Sequence, residues 1–237
     1  MTLRTIAIAA LLVSLGVGMA SNILFLAAFQ FRMDWFFEPT GILGAGATSA
    51  GLLRWAAVLD LFAYYLATAV LAYVLWRILR RRNPAVADLA TVAAIGFALI
   101  GGAGAAVLAI VGPMLMNDYA TATSPGEQEI IAAQFAVLLE VVWRAIWQFL
   151  DGILMAAWWL GIGILVRTDH AGLSRLSYAL AALAGVFSVL NALGVHLARD
   201  AVLGVAFALW TAWWVWLLVL FLRPPDRSPF APDDGHF

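Results

Sequence analysis

The chain has 237 residues, 65% of them hydrophobic and 11% charged, with a mean hydropathy of +0.96 and a formal net charge of −1. Soluble domains carry about 25% charged residues, so this composition belongs in a bilayer, and no basic tract interleaved with aromatics offers a nucleic-acid surface. Cysteine is absent and every basic residue is arginine, which removes disulfides, thiolate metal sites, cysteine nucleophiles and any lysine Schiff base.

A helix needs roughly 20 apolar residues to cross a hydrocarbon core of about 30 Å. Six runs meet that length, near 6–29, 53–76, 87–114, 146–166, 176–198 and 202–222. They are continuous, rich in Ala and Leu, and show no period-2 alternation, which predicts helices rather than strands. The expected fold class is all-α: a polytopic transmembrane helical bundle of six spans, forming a single domain over 1–222.

In the first run, Arg4, an apolar core and Gly18-Met19-Ala20 before Ser21 have the layout of a signal peptide. The apolar run continues to Phe29, however, and is long enough to be an uncleaved span. The second run places Asp60 six residues inside Arg54, with Tyr64 and Thr68 following at helical spacing on the same face. The third run carries Gly96, Gly101, Gly102 and Gly104 among alanines and no ionisable residue over 91–116. Small residues of this kind let helix backbones approach closely; a phosphate loop would need a strand-to-helix turn.

Apolar character around the fourth run begins early, at Ile130, and lasts to Val166. An amphipathic helix over 127–143 that continues or bends into the span accounts for the excess length. This helix carries Glu140, Arg144, Gln148 and Asp151, within an arc of roughly 80° on one face. Such a stripe cannot face lipid, because each charged group costs about 2.5 kcal/mol or more at the bilayer centre. Glu140 and Arg144 are spaced to form an ion pair with each other, whereas Gln148 and Asp151 lie deeper. Trp158 falls on the same face and is placed to wall a pocket, while Trp35, Trp55, Trp143 and Trp147 fit an outer aromatic belt. The fifth run adds Ser188, Asn191 and, near its end, His196. In the sixth, Trp210, Trp213, Trp214 and Trp216 point several ways, so part of this cluster meets lipid. The tail over 223–237 has the proline and aspartate content of a disordered end.

Nine arginines (Arg4, Arg77, Arg80, Arg81, Arg82, Arg167, Arg175, Arg223 and Arg227) fall on one side of these spans, and Arg32, Arg54, Arg144 and Arg199 on the other. The positive-inside rule then places both termini in the cytoplasm, and the all-arginine, alanine-rich composition goes with the expectation of a bacterial plasma membrane. With that orientation Asp60, Tyr64, Glu140, Arg144, Gln148, Asp151 and Asn191 form a candidate polar cluster in the outer half of the bilayer, with Asn22 near the same depth.

Intramembrane acids usually pair or mark a pathway, and three readings stay open. The cluster binds, and in one version moves, a small or lipidic ligand; or Asp60 and Asp151 act as acid and base on an apolar substrate; or the chain is a structural or partner-binding subunit. His170, His196 and His236 are too dispersed to converge on zinc, and no G-x-S-x-G, H-E-x-x-H or Walker pattern occurs. No cofactor or metal is expected; the expected partners are the lipid bilayer and a small-molecule or lipid ligand.

The segment LLRWAAVLDLFAYYLATAVLAYVLWRIL, at 52–79, resembles the second-span segment of a bacterial membrane family labelled domain of unknown function 4386. The likeness extends loosely over 4–222, and Asp60 stands where that family has an Asp in its second span. The resemblance implies a small multi-spanning fold and supplies no established activity.

Overall fold

The computed structural model describes residues 2–32, 34–35 and 39–224, apart from the side chains of 196–201 and 203. The expected disordered tail from residue 225 onward, and the side chains of His196, Arg199, Asp200 and His236, lie outside the described residues. Among the described residues there is no strand. Six helices are long and apolar enough to cross a membrane, making the molecule an all-α bundle. They are α1 (Leu3–Ala28), α2 (Ala47–Leu79), α3 (Pro84–Thr121), α4 (Pro125–Val166), α5 (Ala171–Ala192) and α6 (His196–Leu222). A short 3₁₀ helix, Pro39–Ala45, precedes α2.

Local chemistry sets several of these boundaries. The Thr2 side chain accepts from Thr5 N, Asn83 Oδ1 from Val86 N and Ser124 Oγ from Glu127 N, each satisfying an amide that the first helical turn leaves free. Pro84 and Pro125 follow their caps, where a missing N–H costs nothing. The fifth span ends earlier than the apolar run over 176–198 suggests: α5 stops at Ala192, and His196 opens α6 rather than closing α5. Gly194, at φ +70°, adopts the left-handed conformation that terminates the helix. Its neighbours are all apolar, so hydropathy runs through the turn without a break.

The long fourth element is one uninterrupted helix of 42 residues, roughly 60 Å at about 1.5 Å per residue. The expected entry helix and the span are therefore parts of one continuous helix. Two stretches depart from α geometry: Leu61–Leu66 in α2 and Glu140–Leu150 in α4 are π-helical. There each N–H reaches back five residues instead of four, which rotates the side chains that follow; such insertions are frequent at functional sites.

Each helix packs against its neighbours in the chain, and α6 returns to α1, so the bundle closes into a ring. Arg4 fastens that closure. Its Nε donates to Phe221 O at 2.7 Å and its Nη2 to Leu222 O and Arg223 O at 3.2 and 3.0 Å, satisfying the carbonyls at the end of α6. Arg4→Met is expected to lower stability by about 1–2 kcal/mol, read as a shift of the unfolding midpoint in detergent; an unchanged midpoint would show the clasp to be incidental.

Two apolar cores fill the ring. One contains Leu11, Leu71, Leu75, Trp158, Ile162, Trp213 and Leu217, and the other Phe25, Phe29, Leu53, Leu108, Phe135 and Trp143. Trp213 and Trp214 are buried, whereas Trp216 is 38% exposed, as expected for a cluster that partly meets lipid.

Candidate functional site

Where the two cores meet, packing is incomplete, and a cavity of about 250 Å³ remains. All six helices contribute to its wall: Asn22 and Phe25 from α1, Asp60, Tyr64 and Tyr65 from α2, and Phe97 from α3; Trp147, Gln148, Asp151 and Trp159 are among those from α4, with Phe187 from α5 and Phe207 and Trp210 from α6. Most of the lining is aromatic. No arginine or histidine belongs to it among the described residues.

Each polar group is held by identifiable contacts. Asp151 is 5% exposed, and its Oδ2 accepts from Tyr65 Oη at 3.0 Å. The other oxygen, Oδ1, has no hydrogen-bond partner, and neither does Oε1 of Gln148, which is 7% exposed. The indole Nε1 groups of Trp159 and Trp210 are likewise unpartnered. Buried polar atoms without partners are rare, because each one forfeits its solvation for nothing in return. Four of them, two donors and two acceptors, belong to residues that line this one cavity.

Asp60 is half-buried on the α2 wall, immediately before the π-helical turn. Tyr64 is fixed by Asn22 Nδ2, which donates to its Oη at 2.6 Å, and its ring lies 4.9 Å from that of Trp210. These two rings separate the main cavity from a smaller one of about 50 Å³ between α1 and α6, lined also by Leu15 and Met19.

Glycines set the close approaches. A Cβ on Gly101 would overlap the Tyr65 ring and lie 2.5 Å from Asp151 Oδ2, so only glycine on α3 leaves room for that hydrogen bond. The Gly101 carbonyl also accepts from Trp147 Nε1 at 3.2 Å. On the opposite side of α4, a Cβ on Gly152 would overlap Ser188 Oγ of α5.

The structure divides the stripe on α4. Gln148 and Asp151 line the cavity together with Asp60 and Tyr64. Glu140 and Arg144 pair with each other at 3.4 Å, Glu140 being largely exposed. Asn191 donates to the Arg144 carbonyl at 3.2 Å and does not line the cavity. Thr68 is buried away from it. Trp158, expected to wall the pocket, packs instead against Trp159 and Trp213, and the cavity residue is Trp159. The π-helical stretch upstream accounts for this one-residue change of face.

Tyr65 was not legible as a site residue for the same reason: α spacing from Asp60 selects Tyr64, whereas five-residue spacing also brings in Tyr65. Trp143 and Trp147, assigned to an interfacial belt, are wall residues too. His170, at the α4–α5 connection, is outside the cavity; burial holds its pKa below the ordinary value, with the Asp169 charge opposing. Among the described residues no group of three or more His, Asp or Glu side chains is arranged to hold a metal.

Compared with protein-family models, with curated proteins and with solved structures, the chain has no match.

Proposed function

We propose that this multi-pass membrane protein binds a small or lipidic ligand in the aromatic-walled cavity, and that it serves to hold or move that ligand rather than to transform it. The observation that carries the reading is that four residues lining one cavity each hold a buried polar atom without a partner: Gln148 Oε1, Asp151 Oδ1, Trp159 Nε1 and Trp210 Nε1. The smaller cavity beyond Tyr64 and Trp210 supplies a lateral direction, between α1 and α6, along which a lipidic molecule would pass.

The orientation that suits this role has both termini in the cytoplasm of a plasma membrane, with the cavity towards the outer leaflet. Two of the inner-side arginines support it by their position: Arg4 binds carbonyls at the end of α6, and Arg82 pairs with Asp169 at the end of α4, so they gather at helix ends away from the polar centre. The second-span likeness to domain of unknown function 4386 is compatible with the same reading and adds no activity to it.

Native mass spectrometry of the protein extracted from its membrane tests the proposal. Ala184 lines the cavity, and Ala184→Phe would fill part of it. A bound small molecule is expected on the wild type and not on the variant; a bare protein in both cases, or equal occupancy of both, would rule the reading out. Asp60 and Asp151 line one cavity, which is also what an acid–base pair acting on an apolar substrate requires. That second reading predicts that the extracted molecule is converted to a product on incubation, and a chemically unchanged occupant would exclude it.

A further inference from the structure

We infer that the ligand group recognised between α2 and α4 is an organic ammonium; this rests on the cavity being a binding site and names what it binds. Two carboxyl side chains, Asp60 and Asp151, face one cavity with no basic side chain in its described wall. A carboxylate taken out of water needs an opposite charge or several hydrogen-bond donors. Asp151 has one donor, the Tyr65 hydroxyl on Oδ2, and its Oδ1 is buried without a partner. Gln148 Oε1, three residues earlier on the same helix, is a second unoccupied acceptor. An ammonium carries several N–H donors for unpartnered acceptors of this kind and supplies the missing charge.

The rest of the wall agrees with this chemistry. Phe97, Trp147, Trp159, Phe187, Phe207 and Trp210 line the cavity together with Tyr64 and Tyr65. Aromatic faces attract a desolvated cation through their quadrupole, and cages of them recognise alkylammonium groups. A metal cation would instead take several oxygen ligands at short range, and the described residues provide no such group. The free indole N–H groups of Trp159 and Trp210 suit a ligand that also carries an acceptor oxygen. The cavity of about 250 Å³ admits the amine with only a small apolar body. Such an ammonium occurs in free amines and in ethanolamine lipid headgroups.

The test uses the full chain in nanodiscs of phosphatidylglycerol, titrated with phenethylamine and with phenethyl alcohol, its neutral counterpart of nearly the same shape. Isothermal titration and fluorescence of the cavity tryptophans report binding. The wild type is expected to bind the amine at least about tenfold more tightly than the alcohol, the ratio a charged hydrogen bond confers. Asp60→Asn and Asp151→Asn should each weaken amine binding by about tenfold or more, and by a larger factor than they weaken alcohol binding.

Equal wild-type affinities for amine and alcohol would overturn the ammonium assignment while leaving the cavity a binding site. That comparison needs no variant, so a misfolded mutant does not spoil it. Binding of neither probe would overturn the assignment as well, and the occupancy of the extracted protein then decides the fate of the cavity separately. Adding phosphatidylethanolamine to the nanodiscs separates the two sources: competition with phenethylamine identifies a lipid headgroup, and undiminished phenethylamine binding identifies a free amine.

Discussion

Gly101→Ala is expected to destabilise the protein by about 3 kcal/mol and to empty the cavity. The added Cβ overlaps the Tyr65 ring and comes within 2.5 Å of Asp151 Oδ2. Neither neighbour can give way easily. Tyr65 is 5% exposed, its ring lies 4.9 Å from that of Phe97, and its hydroxyl is committed to Asp151. Moving α3 away as a whole would stretch the bond from Trp147 Nε1 to the Gly101 carbonyl. The overpacking cost and the loss of a buried hydrogen bond therefore fall together. Gly185 is the control: it is also helical, and a Cβ there meets nothing within 4 Å. Gly185→Ala should be neutral or stabilising by up to about 1 kcal/mol through helix propensity alone. Unfolding of both variants by titration with a denaturing detergent makes the comparison, and equal midpoints would refute the proposed role of Gly101.

Gly101 also shows how far the sequence can be read. Its place in a glycine-rich third span announces close helix packing, and the structure has that packing. Which side chain uses the space is a question of pairing between helices, and one sequence carries no record of that. The six spans were legible because a bilayer imposes a length and a composition on any helix that crosses it. Turns within apolar sequence were harder: nothing in Leu193-Gly194-Val195 except the glycine marks the end of α5.

The sequence predicts one depth for Asp60, Tyr64, Gln148 and Asp151, each costly in lipid, and the structure brings all four to one cavity. Phase was less accessible. An α repeat selects Tyr64 and passes over Tyr65, which also lines the cavity, and it selects Trp158 where Trp159 is the wall residue; the π-helical stretches Leu61–Leu66 and Glu140–Leu150 account for both differences. A π turn depends on tertiary contacts that stabilise a locally unfavourable hydrogen-bond pattern, and no residue type identifies it in advance. Tryptophans misled for a related reason. The amphipathic ring that suits a membrane interface equally suits a wet, apolar-walled cavity, so composition could not separate Trp55, exposed, from Trp147, on the cavity wall.

Trp213→Ala is expected to have an effect of similar size by a different route, loosening α6 from the bundle. The side chain is fully buried and packs edge-on against Trp158, Trp159 and Trp214, with ring centroids 5.3, 6.4 and 5.8 Å away. Its Nε1 donates to Ser177 Oγ of α5 at 2.8 Å. In a soluble protein such a truncation costs about 3–5 kcal/mol, part of it from exposing apolar surface to water. Between membrane helices that part falls away, because lipid tails are as apolar as the core. What remains is lost dispersion contact, the void and the broken hydrogen bond, so a loss near the lower end, about 3 kcal/mol, is expected. Trp213→Phe keeps most of the contact and should cost about 1 kcal/mol, chiefly for the donor. The functional consequence follows from position: one and two turns earlier on α6, Trp210 and the pair Ala206 and Phe207 line the cavity. The chain has no cysteine, so Ala206→Cys introduces a single thiol. Its modification by a membrane-permeant reagent should accelerate at least about tenfold in the Trp213→Ala background and hardly at all with Trp213→Phe. Equal rates in the two backgrounds would mean that Trp213 does not hold the α6 wall of the cavity in place.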